Sequence, residues 1–237
     1  MANELQTTLN EILADKQTNL KPENLKAGIT CLGVQGTLES GGGSDYNAKL
    51  VPTNGAIVGY ITEISENLDT SNVTSMTSMF QNCKNLTTIS LLNTSNVTSM
   101  QNMFMNCKNL TTIPLLNTSS VTNMYDMFYY CTNLTTIPLL DTSSVKNMSS
   151  MFAGCSNLTE IPQLNTSSVT NMYNMFYGCT SLSDESLNNI LAMCANATSY
   201  TGTKELAVTG LSEEQATKCQ SLSNYSTFTS AGWTTEY

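Results

Sequence analysis

The stretch LDTSNVTSMTSMFQNCKNLTTISL, Leu68 to Leu91, is followed by four further versions of itself that begin at Leu92, Leu116, Leu140 and Leu164. Each version is 24 residues long, and a Met-Phe pair marks the same place in all five: Met79-Phe80, Met103-Phe104, Met127-Phe128, Met151-Phe152 and Met175-Phe176. A fixed period in the range of roughly 20–50 residues is the signature of a solenoid, whose repeats complete their core only against their neighbours. Such bodies offer extended surfaces for binding more readily than closed catalytic pockets. The expectation is therefore a binding scaffold.

Stacking the repeats turns positions into columns. Met76, Met100, Met124, Met148 and Met172 form one, and the methionines of the Met-Phe pairs form another, so ten of the thirteen methionines and five of the six phenylalanines are used. Repetition this strict reads as core. Within the third repeat Val121, Met124, Met127, Phe128 and Cys131 step by three, three, one and three, which predicts a helical face. LTTIPLL, Leu134–Leu140, follows as a short strand rich in β-branched residues. Five such strands predict a parallel sheet about 24 Å long at about 4.8 Å per strand. Cys83, Cys107, Cys131, Cys155 and Cys179 recur once per repeat, and a buried, reduced thiol column is expected. One thiol per 24 residues is unlike the paired spacing of a zinc site. Asp69, Asn93, Asn117, Asp141 and Asn165 each precede Thr-Ser, where an Asx side chain closes a turn on its own backbone.

Composition narrows the chemistry. The chain of 237 residues carries a net charge of −9, all nine of its cations are lysine, and it has no histidine. Without Arg forks and with an acidic balance, nucleic-acid binding is not expected. Without His the usual general base is missing, no two acids recur at a persuasive site, and no cofactor or metal is expected. The N-terminus lacks the apolar core of a secretory signal, and the longest apolar runs are too short to cross a membrane. A protein that is neither exported by a visible signal nor inserted in a membrane is expected.

The chain as a whole is read in four parts: an N-terminal helix and attachment or oligomerisation module at 1–40, a Gly/Ser linker at 41–46, the repeat body with its N-terminal cap at 47–187, and a C-terminal cap at 188–237. Leu5, Leu9, Ile12 and Leu13 give the first segment one apolar face, which fits either self-association or packing on its own chain. In the C-terminal part Asn188–Ala195 reads as a helix and Leu206–Leu211 as a last strand. Ser212-Glu213-Glu214-Gln215 opens another helix with a capping pattern.

What varies between repeats points to function. One column runs Thr77, Gln101, Tyr125, Ser149, Tyr173, and another Gln81, Met105, Tyr129, Ala153, Tyr177. With Tyr130, these tyrosines form the candidate ligand-binding cluster of repeats three and five. Tyr offers large contact area at low entropy cost, although partial burial against neighbouring repeats is an equal reading.

The repeat resembles the BspA-type leucine-rich repeats of bacterial surface proteins through its TS-x-V-x-x-M-x-x-MF-x-x-C-x-x-L-T columns, over about Asn47 to Leu187. That resemblance implies an α/β, leucine-rich-repeat solenoid with a role in adhesion or recognition and no enzyme activity. Residues Ile12–Thr37, through Pro22-Glu23-Asn24, Gly28-Ile29-Thr30 and Gly33-Val34-Gln35-Gly36-Thr37, resemble a module of phage tail and fibre proteins. This implies attachment to other virion proteins and a homo-oligomer such as a trimer. Together they yield an expected virion protein that binds a host-surface glycan or protein, with a bacterial cell-surface adhesin as the alternative.

Overall fold

The computed structural model describes residues 70–235, together with the backbone of four strands before them. These are β1 (Thr30–Cys31), β2 (Val34–Ser40), β3 (Tyr46–Pro52) and β4 (Glu63–Ile64). β1, β2 and β3 make an antiparallel sheet in that order, with Gln35 opposite both Thr30 and Val51. The N-terminal face of Leu5, Leu9, Ile12 and Leu13 lies outside the described residues, as does the Gly41–Asp45 stretch between β2 and β3.

From Thr70 onward the chain winds in stacked 24-residue coils, here called rungs. The Met-Phe side is where they are joined. Met76, Ser78, Phe80 and Asn82 donate their N–H groups to Ser99, Gln101, Met103 and Met105 of the next rung, at 2.7–2.9 Å. The N–H groups in between stay within the rung, from Met79 to Met76, Gln81 to Ser78 and Cys83 to Phe80, each reaching back three residues. Every second N–H thus points along the stack and the others close consecutive turns.

This corrects the helical expectation for Val121–Cys131. An α-helix would consume its N–H groups internally and leave none to join the rungs. No α-helix occurs between residues 70 and 183, and among the described residues helical structure is confined to the C-terminal part. Alternating turns also require left-handed residues, found at Ser78, Asn102, Asp126, Ser150 and Asn174 and again at Asn82, Asn106, Tyr130, Gly154 and Gly178.

The expected sheet on the LTTIPLL side is likewise cut back. Only β5 (Thr88–Ile89) pairs there, in parallel with β4, and a single bridge joins Thr136 to Glu160. Pro114, Pro138 and Pro162 each lack an N–H and limit any ladder on that side. Parallel bridges instead run through Ser75, Ser99, Asn123, Asn147 and Asn171.

The core follows the columns read from the sequence. All ten repeated methionines, the five phenylalanines and the five cysteines are buried. The phenyl rings stack from rung to rung with centroids 5.4–5.9 Å apart and planes within 13° of parallel. Each cysteine from Cys107 to Cys179 donates its S–H to the phenylalanine carbonyl of the preceding rung at 3.1 Å. The thiols are free, and burial pushes Cys131 and Cys179 up to about 12.

Two hydroxyl devices close the corners. Asn93, Asn117, Asp141 and Asn165 each accept the N–H and the hydroxyl of the serine two residues on, the Asx turn expected there. Beside them Thr70, Thr94, Thr118 and Thr142, all buried, donate to a carbonyl of the next rung at 2.7–2.9 Å. The Thr of the first four Asx-Thr-Ser triplets is therefore a structural tie between rungs, and Thr166 of the fifth donates instead to Met193 O in the helix that follows the stack.

After the fifth rung the stack is sealed. Helix α1 (Asp184–Asn196) is capped by Ser183 and buries Leu187, Ile190, Leu191 and Met193. Its Ser186 hydroxyl donates to Thr159 O and accepts from Ile161 N–H. Leu206–Thr209 is a 3₁₀ turn and not the expected strand. Its carbonyls at Val208 and Thr209 accept Asn174 and Phe176 N–H, so this turn serves as a sixth rung on the Met-Phe side. The capping box Ser212–Gln215 opens α2 (Glu213–Cys219) as read, and α3 (Tyr225–Ser230) follows. Trp233 is fully buried, stacking on Tyr200.

Candidate functional site

The ladder brings the five candidate tyrosines onto one face. Asp126 N–H donates to Ser149 O and Ser150 N–H to Tyr173 O, so Ser149 lies between Tyr125 and Tyr173. Tyr130 N–H donates to Ala153 O and Gly154 N–H to Tyr177 O, so Ala153 lies between Tyr129 and Tyr177. Residues 48 apart in sequence thus become neighbours across one intervening rung. Tyr173 and Tyr177 are each 61% exposed, Tyr130 is 42% exposed, and Tyr125 and Tyr129 are half-buried. Partial burial and exposure therefore both occur within the cluster.

The backbone beneath two of these tyrosines is pinned by amides. Asn123 Oδ1 accepts Tyr125 N–H at 3.0 Å, and Asn171 Oδ1 accepts Tyr173 N–H at 3.1 Å. In the first two rungs a serine hydroxyl stands in the same place and reaches only 3.4–3.5 Å.

Tyr130 is the conformational exception of its column. Asn or Gly occupies this left-handed position in the other four rungs, whereas Tyr130 holds φ 57°. Asn and Gly tolerate that conformation, but a bulky side chain there is strained. The ring is held by Tyr129, edge to face with centroids 4.6 Å apart. It also lies on Gly154, where an added Cβ would stand 3.0 Å from the ring.

Asp126 is the one charged group in these segments of rungs three to five and is only 7% exposed. Burial raises its carboxyl above the usual range, opposed by a hydrogen bond with Tyr125. Its Oδ1, like Oδ1 of Asn102 one rung earlier, is a buried acceptor without a partner. The same Asp126 raises the Tyr125 phenol, and Tyr129 is raised first by desolvation and then by Tyr130, Asp126 and Tyr177.

A second surface was not foreseen. Leu91, Leu115 and Leu139 are 69%, 61% and 63% exposed, forming an apolar ridge. They line an open groove of ≈ 670 Å³ with Asn93, Asn117 and Asp141 of the Asx corners. Asp141 is held below the usual carboxylate range by the Ser143 hydroxyl and N–H. The doublets Leu91-Leu92, Leu115-Leu116 and Leu139-Leu140 carried the signal, since adjacent residues in an extended chain point to opposite sides.

Among the described residues no cluster of three or more His, Cys, Asp or Glu could hold a metal ion, and no helix is long and apolar enough to cross a membrane.

The family model described as "Mycoplasma protein of unknown function, DUF285" matches residues 55–137 and 108–205. No curated protein sequence matches the chain. Among solved structures, a leucine-rich repeat protein from Eubacterium ventriosum is 21% identical, with a TM-score of 0.38, over 52% of this chain and 38% of its own. The T. pallidum leucine-rich repeat protein is 19% identical, with a TM-score of 0.28, over 55% of this chain and 81% of its own. The family match agrees with the BspA-type repeat read from the sequence.

Proposed function

The chain belongs to the DUF285 family, whose description assigns no activity, and from the surfaces its repeats build we propose a non-enzymatic recognition protein that binds a host-surface or mucosal ligand through the tyrosine face of rungs three to five. The observation that carries this reading is Tyr130. A bulky residue held in a left-handed conformation, where sister rungs use Asn or Gly, is the kind of local strain that clusters at functional sites. Around it stand Tyr125, Tyr129, Tyr173 and Tyr177, a concentration of rings with polar tips of the sort favoured in binding surfaces. Replacing Tyr125, Tyr129 and Tyr173 together by Ala is expected to reduce attachment to host cells or mucin at least tenfold. Unchanged attachment by the folded variant would remove the tyrosine face from the site.

The leucine groove supports a second reading for the same ligand. Three exposed leucines in register are an apolar patch of a kind that marks interaction sites. Leu115→Asp separates the two, because it breaks the ridge and leaves the tyrosines untouched.

The carrier of this body is proposed from sequence alone. The resemblance of Ile12–Thr37 to tail and fibre modules supports a phage or prophage particle, with attachment and oligomerisation through the N-terminal segment. The BspA-type resemblance supports a bacterial cell surface. Antibody labelling of purified particles and of bacterial envelopes decides between them, and label on envelopes with bare virions would exclude the phage carrier.

A further inference from the structure

We infer that Lys84 and Lys108, with the amides of Asn82 and Asn106, form a surface subsite for an anionic substituent of a glycan, a carboxylate or a sulfate ester. The step rests on the neighbouring tyrosine face being the recognition surface. The two lysines hold the same place in rungs one and two, and both are exposed. Each follows a left-handed asparagine and is fixed at its base by a tight turn. Lys84 N–H donates to Asn82 O at 2.7 Å, and Lys108 N–H to Asn106 O at 3.0 Å. Adjacent rungs of a ladder lie about 4.8 Å apart, so two ammonium stems rise side by side.

Charge sets this corner apart. The chain carries a net charge of −9, yet from Thr70 to Leu140 its one acid is Asp126, which is buried. Lys218 pairs with Asp184, and Lys204 Nζ donates to Ala231 O. The ammonium groups of Lys84 and Lys108 have no such partner among the described residues. Like charges placed side by side on neighbouring strands are destabilising. The fold itself does not call for them, since rungs three to five carry Thr132, Ser156 and Thr180 in the same column. An anion held between the two ammonium groups turns that repulsion into attraction.

The surroundings select among anions. Residues 82–88 and 106–112 have the same sequence, NCKNLTT, and in both the Cys and Leu are buried. The side chains left at the surface are amides, hydroxyls and the lysines themselves. Asn106 Nδ2 donates to Asn82 Oδ1 at 3.0 Å, which leaves the Nδ2 donors of the exposed Asn82 for a ligand oxygen. This is the chemistry of a hydroxylated ligand. An acidic peptide would find no apolar anchor in these segments, nor an edge to pair with, because Asn82 N–H is given to Met105 O and Asn106 N–H to Tyr129 O. A nucleic acid would bring many phosphates to a chain of net charge −9. The subsite also adjoins the tyrosines, since Lys108 O accepts the hydroxyl of Thr132, two residues beyond Tyr130. A ligand lying along the stack can therefore touch the rings of rung three and carry its anionic group to rung two.

The full chain would be titrated by calorimetry with lactose, sulfated lactose, sialyllactose and a hexaglutamate peptide, at ionic strengths of about 0.01 and 0.15 M. At least one charged saccharide is expected to bind tenfold or more tightly than lactose at the lower salt, with a smaller advantage at the higher. The stronger of the two identifies the group as sulfate or carboxylate. Lys84→Gln with Lys108→Gln is expected to abolish that advantage at an unchanged melting temperature, since both side chains are exposed. Lys84→Arg with Lys108→Arg keeps the charges and should stay within threefold of the parent. Equal binding of lactose and its charged forms, or no binding of either charged form, would overturn the subsite. Hexaglutamate bound in place of both charged saccharides, and lost in the double Gln variant, would overturn the glycan assignment in favour of a peptide. Cell attachment that needs Tyr125, Tyr129 and Tyr173 but survives the double Gln variant would overturn the subsite and leave the recognition face standing. Attachment indifferent to both sets of variants would overturn both.

Discussion

Tyr130 and Asp126 sit in neighbouring left-handed columns and are strained for different reasons. Tyr130 bears a conformational cost of order 1 kcal/mol, offset by its edge contact with Tyr129 and its seat on Gly154. Tyr130→Asn restores the residue of the first two rungs. It is expected to change stability by less than about 1 kcal/mol, because relief of strain offsets lost packing. Ligand binding should nevertheless fall, and denaturant melts read beside attachment assays check both. Asp126 is a buried carboxyl whose raised pKa makes its protonated form the better-tolerated one in the fold. Its contribution is therefore most favourable below the ordinary carboxylate range and is lost as pH rises through the folded value. Asp126→Asn removes the charge and suits the left-handed backbone, so it is expected to stabilise the protein at pH 7 by on the order of 1 kcal/mol. Melting curves of both proteins should converge at low pH.

At the scale of the rung, the unit is a coil whose N–H groups are divided between its own turns and its neighbour. The column spacing of three reported burial correctly, but a run of three-residue turns and a helix of 3.6 residues bury similar positions over so short a stretch. What separates them is the destination of the N–H groups, and that depends on the next rung. The left-handed columns did leave a trace, in Asn, Asp, Ser and Gly recurring at positions such as 102, 126, 150 and 174. Phe128 packs on a phenyl ring on each side. Phe128→Ala is expected to cost about 3–5 kcal/mol, the usual range for emptying a core of Phe. Phe80 has one described ring partner, so Phe80→Ala should cost less. Chemical denaturation of the two variants tests the order.

At the scale of the molecule, seven of the described cysteines are free and buried, five along the stack and Cys194 and Cys219 in the C-terminal part. Burial holds Cys131 and Cys179 to about 12 and Cys219 to about 11, and it raises Cys155 and Cys194 as well. Cys107 is raised first by its neighbour Cys83 and then by burial. In the unfolded chain these thiols ionise near about 8.5. The unfolded state therefore releases protons first as pH climbs, so stability is complete below about 8.5 and declines toward 12. Alkaline melts should show that slope. Alkylation at pH 8 should leave these seven thiols intact until denaturant is added.

The sequence by itself determined the period, the buried Met, Phe and Cys columns, the Asx corners and the capping box at Ser212, because each rests on side-chain burial or on bonds within a few residues. Only the stacked structure decided the turn-based backbone of the Met-Phe side, the shortness of the Thr-Ile-Pro pairing, the sixth rung made by Leu206–Thr209 and the outward leucine ridge. It also decided that Tyr125 faces Tyr173 across Ser149, and Tyr129 faces Tyr177 across Ala153. Those features depend on which N–H groups a neighbouring rung accepts, and no window shorter than one whole repeat contains both partners.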